Sequence, residues 1–513
     1  MALTASQLDA QFGGRPTAPP SFDSSSAPYS VPGQGLSQET TNGDGGYYAS
    51  GYTSGGYGST AVGNGVVAEP SGYASSVLPT LPVSALDQAS PKKDELTERI
   101  SQLEKRLNDA DAAKKKLPSV QINGVFQADA VLFHQTDESI DQYGRIENGA
   151  DFRRTRLSAK GSVTETMNYF VQMDFGFFGR PTFTDVWVEQ TKIPYLGTVR
   201  VGQWKQPFSL ETVSSFRYTT FMERSLLFQT FDPFRHIGIG FYNNTDDLMT
   251  TWAASYFRTG QDQFGGSLST DGGNGLAGRL THLMWYCGDK GQDYLHIGAG
   301  YYYNAPPRDT ARFRTIPEIF VGEFGTTGSP GSSGIGLPNT FNGTPFFADT
   351  GNITDVNSIN TFGLESLWVR GPLSWQTEAM AVNLSRDAQP GLLFGGAYSQ
   401  VGYFLTGEHR PYDRKAGAID RVTPFRNFGK DGGMGAWEVA ARWSYLDVTD
   451  RNVVGGMLQD LTGGVNWYLN PYCKTVFNYV HSWSEARDFF PTPTARALNS
   501  QTDAFAMRVQ LDF

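Results

Sequence analysis

The sequence predicts an all-β fold, a closed antiparallel transmembrane β-barrel of about sixteen strands, and three observations indicate it. Segments with alternating apolar and polar residues follow one another from residue 118 to residue 513. No run of about 18 apolar residues, the length of a helical span, occurs in the chain. The 59 glycines, 35 phenylalanines and 24 tyrosines are accompanied by only 18% charged residues. Such a composition fits either a soluble all-β protein or a membrane β-barrel, and the pattern along the chain decides between them.

Charge and cysteine content exclude several other classes. The 41 basic and 51 acidic residues give a net charge of −10, whereas nucleic-acid-binding proteins usually carry a basic excess. Cys287 and Cys473 lack metal-ligand spacing and could form one disulfide at most. We therefore expect no nucleic-acid partner, no metal site and no cofactor.

Residues 1–90 are rich in Gly, Ser, Pro and Tyr, as in Gly55-Gly56-Tyr57-Gly58. Too little aliphatic surface is present to offset the entropy of ordering, so this segment is predicted to be disordered. The first twenty residues have neither a basic nor an apolar region, so no signal peptide is visible in this chain.

Residues 91–117 are predicted to form one short coiled-coil helix. Ser90 is a suitable N-cap, Pro91 suits the first helical position, and Leu117-Pro118 ends the helix. An apolar seam with spacings of four, three and four is formed by Leu96, Ile100, Leu103 and Leu107. Two heptads are short for an isolated coiled coil, so we expect association only between chains already held together. An intramolecular amphipathic helix is the alternative.

Residues 118–513 are predicted to form the barrel. In the last segment the apolar Phe505, Met507 and Val509 alternate with Ala506 and Arg508, which indicates a half-buried strand. Strands are predicted to begin near Val120, Phe152, Met167, Thr184, Gly197, Ile237, Met249, Gly275, Tyr294, Ile359, Leu373, Gly395, Met434, Leu458, Cys473 and Thr502. Short and long connections alternate between them, as in outer-membrane barrels.

The apolar face of these strands is predicted to meet lipid. Its Trp, Tyr and Phe residues concentrate near strand ends, as in Tyr301-Tyr302-Tyr303 and Trp467-Tyr468, where membrane–water interfaces favour them. The opposite face carries Arg, Lys, Glu, Asp, Asn and Gln, which suits a water-filled lumen. A soluble all-β protein is the alternative.

Several motifs in this order resemble the phosphate-selective porin O/P family of Gram-negative outer membranes. They include Val201-Gly202-Gln203-Trp204, Phe221-Met222-Glu223-Arg224, Gly435-Ala436-Trp437-Glu438 and the terminal Phe513. The resemblance covers nearly all of residues 120–513. It implies a trimeric sixteen-stranded barrel, a third loop folded inward over about residues 203–234, and arginines that lead anions to a central lysine.

The resemblance places Arg153, Arg154, Arg224, Arg312 and Arg314 on an anion path, and the strand pattern adds Arg156 and Lys160. Lys205 and Arg217 lie in the region of the third loop and could substitute for missing residues of the family. Two lysine positions of the family constriction fall on Thr212 and Asn168, and a further arginine position falls on Ile316. Asp185 resembles an acidic residue of the inner wall. Because these lysines are missing, we expect a weaker preference for anions, and phosphate selectivity is a finer hypothesis.

An enzyme is not predicted, because the six histidines are scattered and no nucleophile motif occurs. The favoured function is an outer-membrane porin for passive diffusion of small hydrophilic solutes, working as a homotrimer in the lipid of a Gram-negative-type cell. The alternative is a structural envelope protein whose residues 1–117 tether the barrel to the cell wall or surface layer.

Overall fold

The computed structural model describes residues 97–106, 117–176, 181–260, 270–288, 290–322, 344–429, 432–485 and 499–513. The disordered segment predicted for residues 1–90 lies outside the described residues. Of the helix predicted over 91–117, residues 97–106 are described as helix α1.

Twenty strands occur in the described parts of the chain. Sixteen of them form the barrel, and the pairs β10–β11 and β15–β16 are two-residue ribbons in the connections. The strands are β1 (Gln121–Gln135), β2 (Gly149–Ser162), β3 (Met167–Asp174), β4 (Thr182–Ile193), β5 (Gly197–Lys205), β6 (Arg235–Asn244), β7 (Thr250–Arg258), β8 (Asn274–Cys287), β9 (Asp293–Ala305), β10 (Arg314–Thr315), β11 (Ala348–Asp349), β12 (Val356–Arg370), β13 (Leu373–Arg386), β14 (Leu392–Phe404), β15 (Tyr412–Asp413), β16 (Ala418–Ile419), β17 (Ala436–Asp450), β18 (Val453–Asn470), β19 (Cys473–Glu485) and β20 (Ser500–Asp512).

The predicted fold class is confirmed. Each of the sixteen predicted strand starts lies within a few residues of a barrel strand, and the largest difference is at Leu458, where β18 begins at Val453. The barrel closes where β1 pairs with β20, so that no strand edge is left for the hydrocarbon, which cannot hydrogen-bond to it.

The two faces of the barrel wall differ as the alternation predicts. Outward side chains are exposed, for example Leu132 at 60%, Leu364 at 66% and Phe505 at 56%. Inward side chains are polar and buried, for example Arg442 at 2% and Asp460 at 0%. The apolar surface therefore faces the membrane, and the lumen is filled with polar groups.

The connections lie on two sides of the barrel. On the side where β1 begins and β20 ends, which we call the turn side, six connections are short, and only residues 405–435 are long. The opposite side, the loop side, holds most of the longer connections, with 387–391 and 451–452 as short exceptions. Short turns are typical of the periplasmic side of such barrels and long loops of the external side.

Three connections supply residues to the lumen. The constriction loop (206–234) contains the helices α3 (Leu210–Val213) and α4 (Leu226–Phe231). The long loop (306–355) contains a 3₁₀ turn (Pro307–Asp309) and the β10–β11 ribbon, and the turn-side loop (405–435) contains the β15–β16 ribbon. Another helix, α2 (Asp137–Tyr143), follows β1.

Of the predicted seam, Ile100 and Leu103 lie in helix α1 and are exposed, whereas Leu96 and Leu107 lie outside the described residues. Ile100 is 48% exposed and Leu103 is 63% exposed. Among the helices in the described ranges, none has the length and apolarity needed to cross a membrane.

The closing seam depends on Gly124. Its N–H donates to the carbonyl of Phe513 at 3.0 Å, and a Cβ at position 124 would lie 2.3 Å from the ring of Phe513. We expect Gly124→Val to lower the unfolding temperature of the barrel in detergent by several degrees, because the ring must move. Heat-dependent mobility in gel electrophoresis measures this temperature.

Gly463→Val is the matched control, because a Cβ at position 463 meets nothing within 4 Å. Equal unfolding temperatures for the two variants would contradict the role given to the Gly124–Phe513 contact.

Candidate functional site

The constriction loop crosses the lumen and ends its crossing on the wall formed by β18–β20. Asn466 donates its Nδ2–H to the carbonyl of Thr220 at 2.8 Å, and Lys474 donates to the carbonyl of Thr219 at 2.9 Å. Backbone carbonyls of this loop are thus satisfied by side chains of the opposite wall, which fixes the path of the loop.

Glu223 lies at the centre of a group of arginines. Its carboxylate is 2.9 Å from Arg153 Nε, 3.8 Å from Arg154 Nη2 and 2.7 Å from Arg508 Nη2. Arg508 also binds Asp129 at 2.6 Å. A β-bulge brings Arg153 and Arg154 to the same carboxylate: Gln127 pairs with Arg154 and Ala128 with Phe152, so that Arg153 is the extra residue.

Glu318 joins the long loop to the constriction loop and to the wall. Its side chain is fully buried, 2.6 Å from Arg442 Nη2, and accepts hydrogen bonds from the N–H of Leu226 at 3.2 Å and the hydroxyl of Thr462 at 2.9 Å. Arg442 also donates to the carbonyl of Glu223 at 3.0 Å. One buried ion pair therefore holds two inward segments on β17 and β18.

The turn-side loop is held by similar contacts. Arg410 binds Glu438 and also donates to the hydroxyl of Thr220 in the constriction loop, at 2.9 Å. The hydroxyl of Tyr412 lies 2.7 Å from His296 Nδ1. This loop therefore narrows the lumen from the turn side.

A cavity of about 400 Å³ remains between the constriction loop, the turn-side loop and the wall of β4–β8. Pro207 and Val213 of the constriction loop contribute to its lining. Its charged lining residues are Asp185, Arg200, Lys205, Arg279, Asp413 and Lys415, four basic and two acidic. This cavity thus lies opposite the wall to which the constriction loop is tied.

The sequence-predicted arginines mostly have acidic partners. Arg153 and Arg154 share Glu223, and Arg156 lies 2.7 Å from Asp174. The other arginine–carboxylate pairs among the predicted residues are Arg217 with Asp512 and Arg312 with Asp349.

The remaining predicted residues are placed differently. Arg224 donates to the carbonyls of Glu211 and Ser214 at 2.8 and 2.9 Å, and Arg314 is exposed above the ring of Phe346. Lys160 is exposed near the turn-side end of β2. Lys205 lines the cavity and donates to the carbonyls of Val213 and Ser214 at 3.0 and 2.7 Å.

The two positions that depart from the family pattern are both hydrogen-bonded. Thr212 is fully buried and donates its hydroxyl to Asp232, which also accepts from Ser209 at 2.9 Å. Asn168 donates to Glu189 at 3.2 Å. Ile316, at the further arginine position, is buried in the long loop.

Sequence reasoning missed several residues that shape the lumen, above all Glu318, Arg410 and His296. None of them belongs to an alternating pattern that points to its partner, since the pairs join distant parts of the chain. For Arg410 the one available signal is its position two residues after Leu405-Thr406-Gly407-Glu408, a stretch that also resembles the porin O/P family.

The barrel has sixteen strands and a polar lumen, and inward loops narrow this lumen. This is the architecture of a porin. The family described as "Phosphate-selective porin O and P" matches residues 120–513, and the chain belongs to that family. It is an outer-membrane porin.

Two curated relatives share 26% identity with the chain. Porin O of Pseudomonas aeruginosa matches over 381 residues, which are 71% of this chain and 82% of that protein. An uncharacterized protein of Caulobacter vibrioides matches over 344 residues, 64% of this chain and 62% of that protein.

Solved structures with a similar fold share little sequence with the chain. The anion-selective porin from Comamonas acidovorans is 11% identical, with 77% of this chain and 99% of that chain covered and a TM-score of 0.45. The trimer form of OmpT from Vibrio cholerae is 11% identical, with the same coverage and a TM-score of 0.44.

Removing the central carboxylate tests the arginine group. We expect Glu223→Gln to raise single-channel conductance and shift the reversal potential towards chloride, because three guanidinium groups lose their shared counter-charge and the loop loses its anchor. Recordings in planar bilayers under a KCl gradient measure both quantities. The control is Glu147→Gln on the exposed connection after α2, and unchanged conductance in the Glu223 variant would contradict the anchoring role.

Asp232 gives the constriction loop a pH response. Burial raises the pKa of its carboxyl to about 8, so the folded protein holds a proton that the unfolded chain releases near pH 4. The stability contribution of this group therefore falls as pH rises towards about 8, above which the carboxyl is charged in the folded state too.

We expect the preference for anions to decrease as pH rises through about 8, because the Asp232 carboxyl then adds a negative charge to the constriction loop. Asp232→Asn should remove the part of the decrease that this charge causes. Reversal potentials across this pH range check the expectation, with Asp247→Asn on an exposed turn as the control. The same pH dependence in all three proteins would count against Asp232.

Proposed function

We propose that the chain is a passive diffusion channel for small hydrophilic solutes, with a modest preference for anions and a path along the β4–β8 wall. The observation that carries this proposal is the cavity, whose lining has four basic and two acidic side chains. Arg200 and Arg279 are paired with Glu189 and Glu365, whereas Lys205 donates to backbone carbonyls. The residual positive charge is therefore small.

Strong selectivity for phosphate is not part of the proposal. An anion gives up its hydration shell only where several fixed donors and positive charges replace it. Most of the predicted arginines have carboxylate partners, and the central lysine position is the buried Thr212. We propose instead that the nine predicted basic residues divide into loop anchors, such as Arg153 and Arg154, and path residues, of which Lys205 is the first candidate.

We further propose that the channel works as a homotrimer and catalyses no reaction. The exposed seam of α1 supports association between chains, because Ile100 and Leu103 would become buried in a coiled coil. The same seam is the observation that favours the alternative, a tether formed by residues 1–117. The division into a segment 1–90, a helix 91–117 and a barrel 118–513 belongs to this proposal.

Planar-bilayer recording of the purified protein tests the channel. We expect stepwise conductance, a reversal potential on the chloride side of zero under a KCl gradient, and no greater reduction of chloride current by orthophosphate than by sulfate. The double variant Lys205→Gln, Lys415→Gln should reduce the preference for chloride, because both lysines line the cavity.

Lys192→Gln, in the exposed turn-side end of β4, is the control for the loss of one positive charge elsewhere, and it is compared with each single variant, Lys205→Gln and Lys415→Gln. Absence of conductance steps would overturn the channel. A reversal potential on the potassium side would overturn the anion preference alone.

A further inference from the structure

Beside the cavity, the inner wall carries a row of aromatic and guanidinium side chains. We propose that Phe170, Trp187, Arg200 and Tyr242 form a binding subsite for aromatic carboxylates on their way through the lumen. This inference rests on the proposed function, because it requires the cavity to be part of the permeation path.

The strand register places these residues side by side. Phe170 of β3 pairs with Trp187 of β4, and their rings stack at a centroid distance of 5.6 Å and an interplanar angle of 18°. Arg200 of β5 pairs with Glu189 of β4, two residues from Trp187 and on the same face. Arg200 and Tyr242 line the cavity, so the row extends from the cavity along the wall to Trp187 and Phe170.

Arg200 is held in a fixed orientation between two rings. Its Cζ lies 4.0 Å from the ring centre of Trp187 and 4.9 Å from that of Tyr242. Nε and Nη2 donate to Glu189 at 3.1 and 2.7 Å, and Nη2 also donates to the hydroxyl of Tyr242 at 2.9 Å. Nη1 makes no hydrogen bond with any residue in the described ranges, which leaves its donors for a solute.

The charge balance of the row suits brief binding. Glu189 neutralises most of the Arg200 charge, so a carboxylate gains a hydrogen bond and ring contacts rather than a strong ion pair. Lys160, which pairs with Phe170 in register, adds a positive charge at the turn-side end of the row. A transport subsite must release its solute as readily as it binds it.

Glycines beside Trp187 leave open to the lumen the part of its indole that Phe170 and Arg200 do not cover. Trp187 pairs with Gly202, and Gly202 pairs with Gly238, so the two strands beside Trp187 carry no side chain in that row. A Cβ at Gly202 would lie 3.0 Å from the Cβ of Trp187, and the φ of Gly202 is +132°. Trp187 itself is half-buried rather than covered.

The size of the cavity favours an organic anion over an inorganic one. Its volume of about 400 Å³ falls in the range of pockets that hold small organic molecules, about 300–1,000 Å³. A planar aryl group can pack against Phe170 and the uncovered part of Trp187, while its carboxylate meets Nη1 of Arg200. Aliphatic carboxylates of equal charge can form the hydrogen bond with Arg200 but lack the ring for the aromatic contact.

Single-channel recording with benzoate and acetate at equal concentrations tests the subsite. We expect benzoate to cause concentration-dependent interruptions of the KCl current that acetate does not cause. Trp187→Leu should shorten these interruptions several-fold, because the ring contact is lost while the charges stay. Phe170→Leu is a second variant with the same expected direction, should the first fail to fold.

Trp443→Leu is the control, since this tryptophan is on the outward face of β17 and 42% exposed. Interruptions that are equal for benzoate and acetate, or unchanged in both the Trp187 and Phe170 variants, would overturn the subsite while the channel stands. Absence of conductance steps would instead overturn the proposed channel function itself.

Discussion

Buried ion pairs between inward segments and the barrel wall are the interaction on which the shape of the lumen depends. Three ion pairs connect a strand to an inward segment: Arg508 with Glu223, Arg442 with Glu318, and Glu438 with Arg410. Asp129 also binds Arg508 and so fixes the orientation of that strand residue. Removing one partner of such a pair costs roughly 3–5 kcal/mol, because a charge is then left buried and uncompensated. The inward loops therefore behave as parts of the wall.

This use of charge determines what the lumen can do. An arginine whose carboxylate partner lies within about 3 Å contributes little net potential to a passing ion. The groups at Glu223 and Glu318 tie the constriction loop to β17, β18 and β20, and they close that side of the lumen. The cavity lies on the other side, along β4–β8, where Lys205 and Lys415 have no carboxylate partner among the described residues.

Much of the fold could be predicted from the sequence, because lipid imposes a period of two on every strand. The outward positions of β20, from Phe505 to Leu511, show this period without interruption, and the sixteen strands follow from it. The inward connection 405–435 could not be predicted in the same way. Its contacts depend on single residues such as Arg410 and Tyr412, which have no periodic pattern.

The candidate site was predictable only in part, since its partners are far apart in the chain. Arg508 and Glu223 are 285 residues apart, and Arg442 and Glu318 are 124 residues apart. Family motifs located Arg153 and Arg154, but the bulge that turns both towards Glu223 is a feature of strand register. A sequence shows the sign of the charge on a side chain, but it does not show which opposite charge the fold places beside it.

Cysteine accessibility in the open channel tests most directly which side of the lumen is open. In a background with Cys287 and Cys473 replaced by serine, one protein carries Ser255→Cys in the cavity lining, and another carries Asn478→Cys, buried on the inner face of β19. The account predicts that a charged, water-soluble thiol reagent reduces the current through the first protein and leaves the second unchanged. A reagent effect on Asn478→Cys with none on Ser255→Cys would contradict it.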